Sequence, residues 1–365
     1  MLNNLNEKHI SMKVIGVGGA GNNAINLILD EQKNWQNIEL YVANTDSQDL
    51  EKSRCNNKIF LGSSTRGLGA GNDPNVGQQC AIESLGEIQR IVSNTDIVVI
   101  ATGLGGGTGT GASPVIAKTA KEAGALTIAI VTTPFKLEGK TKSLVANKGL
   151  ENLKKYVDAF IVLSNQKLIS LYSKLPIIEA FKVANITLKQ SIKVIHDTIF
   201  ETGYINVDFN DLKRVLLNGN DTIISIGTAY GKERAKKAIT EAFSAPLFEK
   251  EVKGAKKMIV LFQCDRNTNL EEIELASEMI DELMHIENDE MEKIIGFQLF
   301  DNQEDFFQVN IIASNIKNEA PFSTSGEFNR IQNMSNTSIF NMQNAKNVEF
   351  KKEQDKDSVP NFFKN

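Results

Sequence analysis

An α/β fold of two lobes, a parallel-sheet lobe and a second α/β lobe joined by a long central helix, is predicted by three observations. Short β-branched runs alternate with longer helical patterns through roughly the first 300 of the 365 residues, the mark of a parallel sheet with helices on both faces. These runs are nearly continuous in apolar residues rather than alternating, as strands buried on both faces must be. From Pro176 to about Glu201, the apolar residues Ile178, Phe181, Val183, Ile186, Leu188, Ile192, Ile195 and Ile199 recur at helical spacing, over a length that can act as a spine between lobes. At roughly 150 residues per domain, the chain has room for two domains and a surplus.

Taken in order, residues 1–11 are Asn-rich, lack the apolar stretch of a signal peptide and read as a flexible N-terminus. The first lobe, 12–175, has strands at Lys13–Val17, Glu39–Asn44, Lys58–Leu61, Ile97–Thr102, Leu126–Thr132 and Ala159–Ser164. Between them Asn22–Asp30, Pro74–Ser93, Ala112–Ala123 and Lys140–Tyr156 read as helices; Asp73 is the N-cap of the second, with Pro74 at its first position. The spine occupies 176–203. The second lobe, 204–316, has strands at Thr222–Thr228, Lys257–Gln263, Ile294–Leu299 and Phe307–Ala313, and helices at Phe209–Leu217, Lys232–Phe243 and Leu270–Leu283.

Beyond Ile316 the periodicity stops. Seven of the thirty residues from Asn318 to Asn347 are Asn, and the apolar residues there follow neither helical nor strand spacing, so 317–354 reads as a disordered linker. Its flexible-chain span is roughly 35 Å. The last segment, 355–365, regains aromatic residues and a proline, the form of a short apolar peptide offered to a partner's groove.

Composition excludes several functions. With 45 acidic and 40 basic residues the net charge is −5, so no uniform basic field exists to hold nucleic acid. Cys55, Cys80 and Cys264 are far apart, with no CxxC and no neighbouring His, which argues against a disulfide framework or zinc site and suits a reducing cytoplasm. No run of some 18 apolar residues occurs, so contact with a membrane has to be indirect. His196, with Asp197 beside it on the spine, reads as packing or surface.

Two glycine loops carry the chemistry. Gly16, Gly18 and Gly21 fit G-x-G-x-x-G between a strand and a helix, where glycine lets the backbone approach a phosphate; Asp46 is then the candidate ribose acid of a dinucleotide site. The strand Ile97–Thr102 empties into Gly103-Leu-Gly-Gly-Gly-Thr-Gly-Thr-Gly111, five of its glycines falling within seven positions, interleaved with hydroxyls and aimed by a helix dipole. Two such loops at the carboxyl ends of strands favour a nucleoside triphosphate over a dinucleotide. Gly139-Lys140-Thr141 is not a Walker loop, because Pro134 stands where its first glycine is required. Glu138 and Lys142 sit beside that segment, near where a ribose and phosphate would lie.

A pocket of glycines, hydroxyls and amides lacks an acid to polarise water. The best acidic pair, Asp208 and Asp211, follows the spine, and the 21 steps from Asn185 to Asn206 put it roughly 30 Å from Asn185 if helical throughout. Acting on a triphosphate, these carboxylates have to reach a neighbouring molecule's, and head-to-tail contacts of that kind grow into open filaments. The alternative is that Asp208 N-caps the following helix with Asp211 in its first turn.

The strings GVGGAGNNA (Gly16–Ala24), NTD (Asn44–Asp46), TRGLGAG (Thr65–Gly71), GLGGGTGTGASP (Gly103–Pro114), TPF and EGK (Thr133–Lys140) and GYINVDFNDLK (Gly203–Lys213) resemble the FtsZ family, the bacterial homologues of tubulin that assemble the division ring. The resemblance covers residues 12 to about 315 and implies a tubulin/FtsZ-like fold. It implies a GTP/GDP site at Gly19, Ala20, Gly21, Asn22 and Asn23, at Gly105, Gly106, Gly107, Thr108 and Gly109, and at Glu138 and Lys142, with Asn185 for guanine and Phe181 for stacking. It implies Asn206, Asp208 and Asp211 as catalytic groups acting in trans, and Mg2+ held mainly by phosphates with no protein metal cluster. Lys142 stands where the family usually has Arg, and Ile186 where it is usually polar.

The terminal Asp357, Val359, Pro360, Phe362 and Phe363 correspond loosely to the family's tail motif, which implies an FtsA-like membrane tether and other division proteins as partners, besides self-association. The implied location is the cytoplasm, in a ring at mid-cell. A nicotinamide-dependent oxidoreductase resting on Gly16–Gly21 and a non-hydrolysing nucleotide-switched scaffold are the alternatives.

Overall fold

The computed structural model describes residues 10–31, 35–171, 176–244, 252, 254–284, 291–300 and 305–316. The linker 317–354 and the terminal peptide with Asp357, Val359, Pro360, Phe362 and Phe363 lie outside the described residues, as do residues 1–9 of the N-terminus.

The first lobe alternates strand and helix. β1 (Met12–Val17) leads to α1 (Gly18–Asp30), β2 (Ile38–Asn44) to α2 (Ser47–Lys52), and β3 (Lys58–Phe60) to α3 (Pro74–Glu83) and α4 (Leu85–Val92). Then β4 (Ile97–Gly103) leads to α5 (Gly107–Glu122), β5 (Leu126–Thr133) to α6 (Lys140–Leu153), and β6 (Ala159–Ser164) to α7 (Asn165–Leu171). The central helix α8 (Ile177–Phe200) follows. After it come α9 (Phe209–Leu216), β7 (Asn220–Tyr230), α10 (Arg234–Ser244), β8 (Lys257–Cys264), α11 (Leu270–Met284), β9 (Glu292–Leu299) and β10 (Phe306–Ser314).

The strand order is β3-β2-β1-β4-β5-β6-β7-β10-β8-β9, one sheet through both lobes. Pairing is parallel from β3 to β6, with Gly16 opposite Ala101 and Ala101 opposite Ile130, so the ends of β1, β4 and β5 emerge side by side. The two lobes meet through a short parallel contact, Ala159 with Asn220 and Phe160 with Asp221. β10 then runs antiparallel to both β7 and β8.

Three boundaries differ from the sequence expectation. Pro74–Ser93 is two helices, broken at Ser84, whose hydroxyl accepts from the Gly62 N–H (2.9 Å) and donates to the Phe60 carbonyl (3.2 Å) and so holds the turn against the end of β3. α1 and α5 begin at Gly18 and Gly107 rather than Asn22 and Ala112, so the glycine loops form the first turns of the helices they precede. The short helices α2 and α7 have too few residues to show a period.

One apolar cluster runs from Val14, Ile25 and Ile28 past Leu188, Ile192 and Ile195 of α8 to Leu212 and Phe262 in the second lobe, where it takes in both faces of the sheet, as the consecutive Ile223 and Ile224 of β7 show. Burying each such side chain contributes about 1.5–3 kcal/mol, so α8 binds the lobes through its apolar stripe. The opposite face of the first lobe packs Ile15, Ile100 and Val131 under Ile88, Ile116 and Leu153. His196 packs on the α8 side, with the first cluster, and is not a surface group. It is fully buried between Trp35 (5.3 Å) and Phe200 (5.1 Å), its ring nitrogens 2.9 Å from Asp197 Oδ1 and from the Gln36 carbonyl.

The second lobe holds a buried ionic group. Arg234 donates to Asp265 at 2.9 Å, to both oxygens of Glu272 at 2.9 and 3.0 Å, and to Thr268 at 3.1 Å. The bond from Arg234 holds the Glu272 carboxyl below its ordinary range. Burial pushes Asp265 up, but the bonds from Arg234 and Thr268, the Arg234 charge and the Asp305 N–H together outweigh it and hold that carboxyl low as well.

Candidate functional site

The carboxyl ends of the parallel strands open into a cleft of about 440 Å³. Its floor is built from two helix N-termini: Gly18, Gly19, Ala20 and Asn23 of α1, and Gly106, Gly107, Thr108 and Gly109 of α5. α2, α3 and α9 are each capped by an Asp side chain, Asp46, Asp73 and Asp208. α1 and α5 are not. Their N-caps, Val17 and Gly106, make no side-chain cap bond, and neither helix has an acid in its first turn. The leading N–H groups of both helices are therefore left for a ligand, and two dipoles converge on one volume, an arrangement for a polyanion.

The glycines divide by what a Cβ would meet. At Gly21 it would lie 2.3 Å from the Ala101 carbonyl oxygen, at Gly109 2.5 Å from the Gly103 carbonyl and at Gly111 2.0 Å from the Pro74 carbonyl. These residues let α1 and α5 press against neighbouring backbone. At Gly106 nothing lies within 4 Å, so that glycine leaves the cleft open.

Three of the residues expected in the site sit behind it. Gly21 is packed as described. The amide of Asn22, in the orientation that satisfies its neighbours, donates to the Gly16 and Gly18 carbonyls (3.0 and 3.2 Å) and accepts from Asn44 (3.1 Å), tying the first loop to β2. Gly105 has φ 104°, which only glycine adopts readily, and its N–H is held by Thr110 Oγ1 at 2.8 Å. Asp46 is committed to α2, accepting from the Gln48 and Asp49 N–H groups, and does not line the cleft.

Across from the helix ends, Glu138 and Lys142 meet at 2.6 Å, with the other Glu138 oxygen on the Phe135 N–H at 2.9 Å. Among the described residues Glu138 is the one acidic side chain in the lining, and both its oxygens are engaged. A divalent ion accompanying a polyphosphate would thus rest mainly on the ligand's own oxygens.

The far wall comes from α8. Phe181, its ring edge-on to Phe135 at 5.1 Å, and Asn185 line the cleft one helical turn apart. Asn165 at the start of α7 lines it too, although the sequence did not single it out. Its Oδ1 is buried with no hydrogen-bond partner, in a residue only 7% exposed, and such an oxygen wants a donor from a ligand. Asn72, Thr132 and Pro134 complete this side. The signal for Asn165, one amide after β6, is visible only once the strand's end is known to open here.

Asn206, Asp208 and Asp211 do not line the cleft. They lie past the end of the 24-residue α8, where Asp208 and Asp211 form a reciprocal cap on α9 and Asn206 Oδ1 accepts from the Gly203 N–H at 2.7 Å. Tyr204 and Ile205 pair with the backbone of Phe297 in β9, which fixes this loop to the second lobe.

The cluster His196, Asp197 and Glu201 could hold a metal by distance, but both imidazole nitrogens are engaged and Lys193 holds Asp197 at 2.8 and 2.9 Å. Among the described residues no helix is long and apolar enough to cross a membrane.

Residues 11–173 match the family model for the Tubulin/FtsZ family GTPase domain, and residues 220–317 that for the FtsZ family C-terminal domain. The chain is 41% identical over 317 residues to the cell division protein FtsZ of Mycoplasmopsis pulmonis, covering 87% of this chain and 80% of that one. It is likewise 41% identical over 311 residues to the FtsZ of Aquifex aeolicus, covering 84% and 83%. A solved empty FtsZ dimer from M. jannaschii superposes with TM-score 0.78 at 34% identity over 88% of this chain and 93% of that one. With two uncapped helix ends facing one cleft and both family domains matched in order, the chain belongs to the FtsZ family and carries its tubulin-like GTPase domain.

Proposed function

We propose that the protein binds GTP in this cleft and polymerises head to tail, the loop carrying Asn206, Asp208 and Asp211 of one subunit completing hydrolysis in the cleft of the next. The observation that carries the reading is the split site: a polyanion cradle whose lining lacks a free carboxylate, and an exposed acidic loop beyond the far end of α8. A group that far from the phosphates acts on them only from a second molecule, and a heterologous contact that does not close gives a filament.

The phosphates rest on the first turns of α1 and α5, with Lys142 adding charge. Phe181 stacks on the base, while Asn185 and the unpartnered Asn165 oxygen face its edge; an acceptor such as Asn165 Oδ1 suits guanine's N–H groups. Mg2+, resting mainly on the phosphate oxygens, would supply positive charge there. The acidic loop orients a water in line with the γ-phosphorus, the bond to the β-bridging oxygen breaks, and GDP and phosphate leave. These filaments form the division ring at mid-cell in the cytoplasm, and the peptide 355–365 docks an FtsA-like membrane tether, so the membrane link is indirect. A nicotinamide site is disfavoured because Asp46, its ribose acid, is the cap of α2.

The test is one tube in which pelleting and phosphate release are followed after GTP, GDP or NADH is added. The expected result is pelleting with GTP and a release rate per chain that rises with protein concentration. A rate per chain independent of concentration, with no pellet, defeats the polymer reading.

A further inference from the structure

The glycine run carries two hydroxyls, and they do different work. Thr110 is buried and accepts from the Gly105 N–H, holding the loop. Thr108 lines the cleft, and the one partner of its hydroxyl among the described residues is Thr45 Oγ1, 2.6 Å away. Thr45 is fully buried between β2 and α2. Its N–H donates to Asn44 Oδ1 at 2.9 Å and its carbonyl accepts from the Gly69 N–H at 3.2 Å, so its backbone is pinned on both sides.

Each hydroxyl has a single proton to give. If Thr108 donates, the proton of Thr45 is left in the interior, where the described residues supply no acceptor for it. That is the expensive case for a buried donor. If Thr45 donates, its proton is satisfied and the proton of Thr108 turns toward the cleft. We propose that Thr45 is a positioning residue: by giving its hydroxyl proton to Thr108 it fixes Thr108 as a donor to an anionic oxygen of the bound nucleotide. A hydroxyl that accepts one hydrogen bond donates a stronger one, so the buried partner also strengthens the contact it orients. The proposal rests on the nucleotide reading of the cleft.

The experiment is calorimetric titration of GTP, with magnesium chelated to hold turnover down, into the full chain and four variants: Thr45→Val, Thr45→Ser, Thr108→Val and the double Thr45→Val/Thr108→Val. Thr45→Val keeps the shape and removes the proton, and is expected to weaken binding about fivefold, while Thr45→Ser binds as the unsubstituted chain does. In the Thr108→Val background, Thr45→Val is expected to have no further effect, because the hydroxyl it orients is gone. A purely structural role for Thr45 gives the same loss in both backgrounds, and that outcome overturns the proposal. So does equal binding by Thr45→Val, or a loss in Thr45→Ser as large as that in Thr45→Val. Failure of the unsubstituted chain to bind GTP overturns the nucleotide reading itself, and the proposal with it.

Discussion

Asp208 and Asp211 hold each other in place: Asp208 Oδ1 accepts from the Asp211 N–H at 2.8 Å, and Asp211 Oδ2 accepts from the Asp208 N–H at 3.2 Å. Each carboxylate spends one oxygen on the cap, so the pair is fixed in the free chain before any neighbour arrives. The cap and the trans-acting role, which compete as readings of the sequence, are therefore compatible, because each carboxylate keeps one oxygen outside the cap. Asp211→Ala is expected to lose about 1 kcal/mol of stability through the cap. GTP binding stays unchanged, and phosphate release falls about 100-fold or more in protein that still pellets. Loss of nucleotide binding in the monomer would place the acid in its own chain's site and defeat the in-trans reading.

The glycine loops predict two opposite phenotypes from the same substitution. In Gly111→Ala the new Cβ would sit 2.0 Å from the Pro74 carbonyl, forcing α3 and α5 apart, while Gly106→Ala puts a methyl into open space. Gly111→Ala is expected to destabilise by about 1–3 kcal/mol or more, seen as a lowered Tm without nucleotide. Gly106→Ala is expected to keep its Tm and lose affinity for GTP. Equal Tm for the two variants would remove the division between packing and cradle glycines.

This division marks how far the sequence could be read. The continuous apolar runs at β1, β4, β5 and β6 announced buried parallel strands, and the glycine run after β4 announced the loop that lines the cleft, because backbone geometry restricts such positions to a few residue types. Gly21, Asn22 and Gly105 carry the same sequence mark as the lining residues yet sit behind the cleft, since a motif records that glycine is needed and not which neighbour needs it. Ser84 breaking a helix, Asn165 facing the pocket and Thr45 behind Thr108 depend on contacts across 22, many or 63 positions of chain, and no local pattern encodes them.

Lys142 tests the electrostatics of the cleft. Its ammonium pairs with Glu138 at 2.6 Å, and a would-be Cβ on Gly105 would meet its Cγ at 2.9 Å, so the side chain is held along the loop. Lys142→Ala is expected to weaken GTP binding about tenfold or more, with a shallower dependence on salt. Lys142→Arg keeps the charge and adds a planar fork, and is expected to bind GTP as well or better. Titration at two ionic strengths checks both.

The Arg234 group makes acid a specific stress on the second lobe. Asp265 and Glu272 have lowered carboxyl pKa values in the fold, so just below the ordinary carboxylate range the unfolded chain binds more protons than the folded one. Their contribution is thus complete above about pH 4–4.5 and is lost as pH falls through the folded-state values. Arg234→Met leaves Asp265 buried without its partner and is expected to cost about 3–5 kcal/mol at pH 7, and less at pH 3, where both carboxyls carry protons. Denaturant unfolding at the two pH values measures the difference.

Gln298 joins the acidic loop to the rest of the protein. Its amide nitrogen donates to the Asp197 carbonyl at 3.0 Å, which also accepts from the Glu201 N–H, and to the carbonyl of Glu201, the C-cap of α8, at 3.1 Å, while its oxygen accepts from Gln263 at 2.8 Å. The residue before it, Phe297, pairs through its backbone with Tyr204 and Ile205, so one strand of the second lobe grips both the end of α8 and the start of the loop. Gln298→Leu keeps the volume and drops the amide, removing a bond from each carbonyl and taking from the Gln263 amide its acceptor at a position only 4% exposed. The cleft lies at the other end of α8, so GTP affinity is expected to be unchanged. The loop loses its anchor, so phosphate release per pelleted chain is expected to fall several-fold even though Asp208 and Asp211 are intact. A Gln298→Leu protein that turns over normally would mean that the β-bridge at Phe297 alone holds the loop.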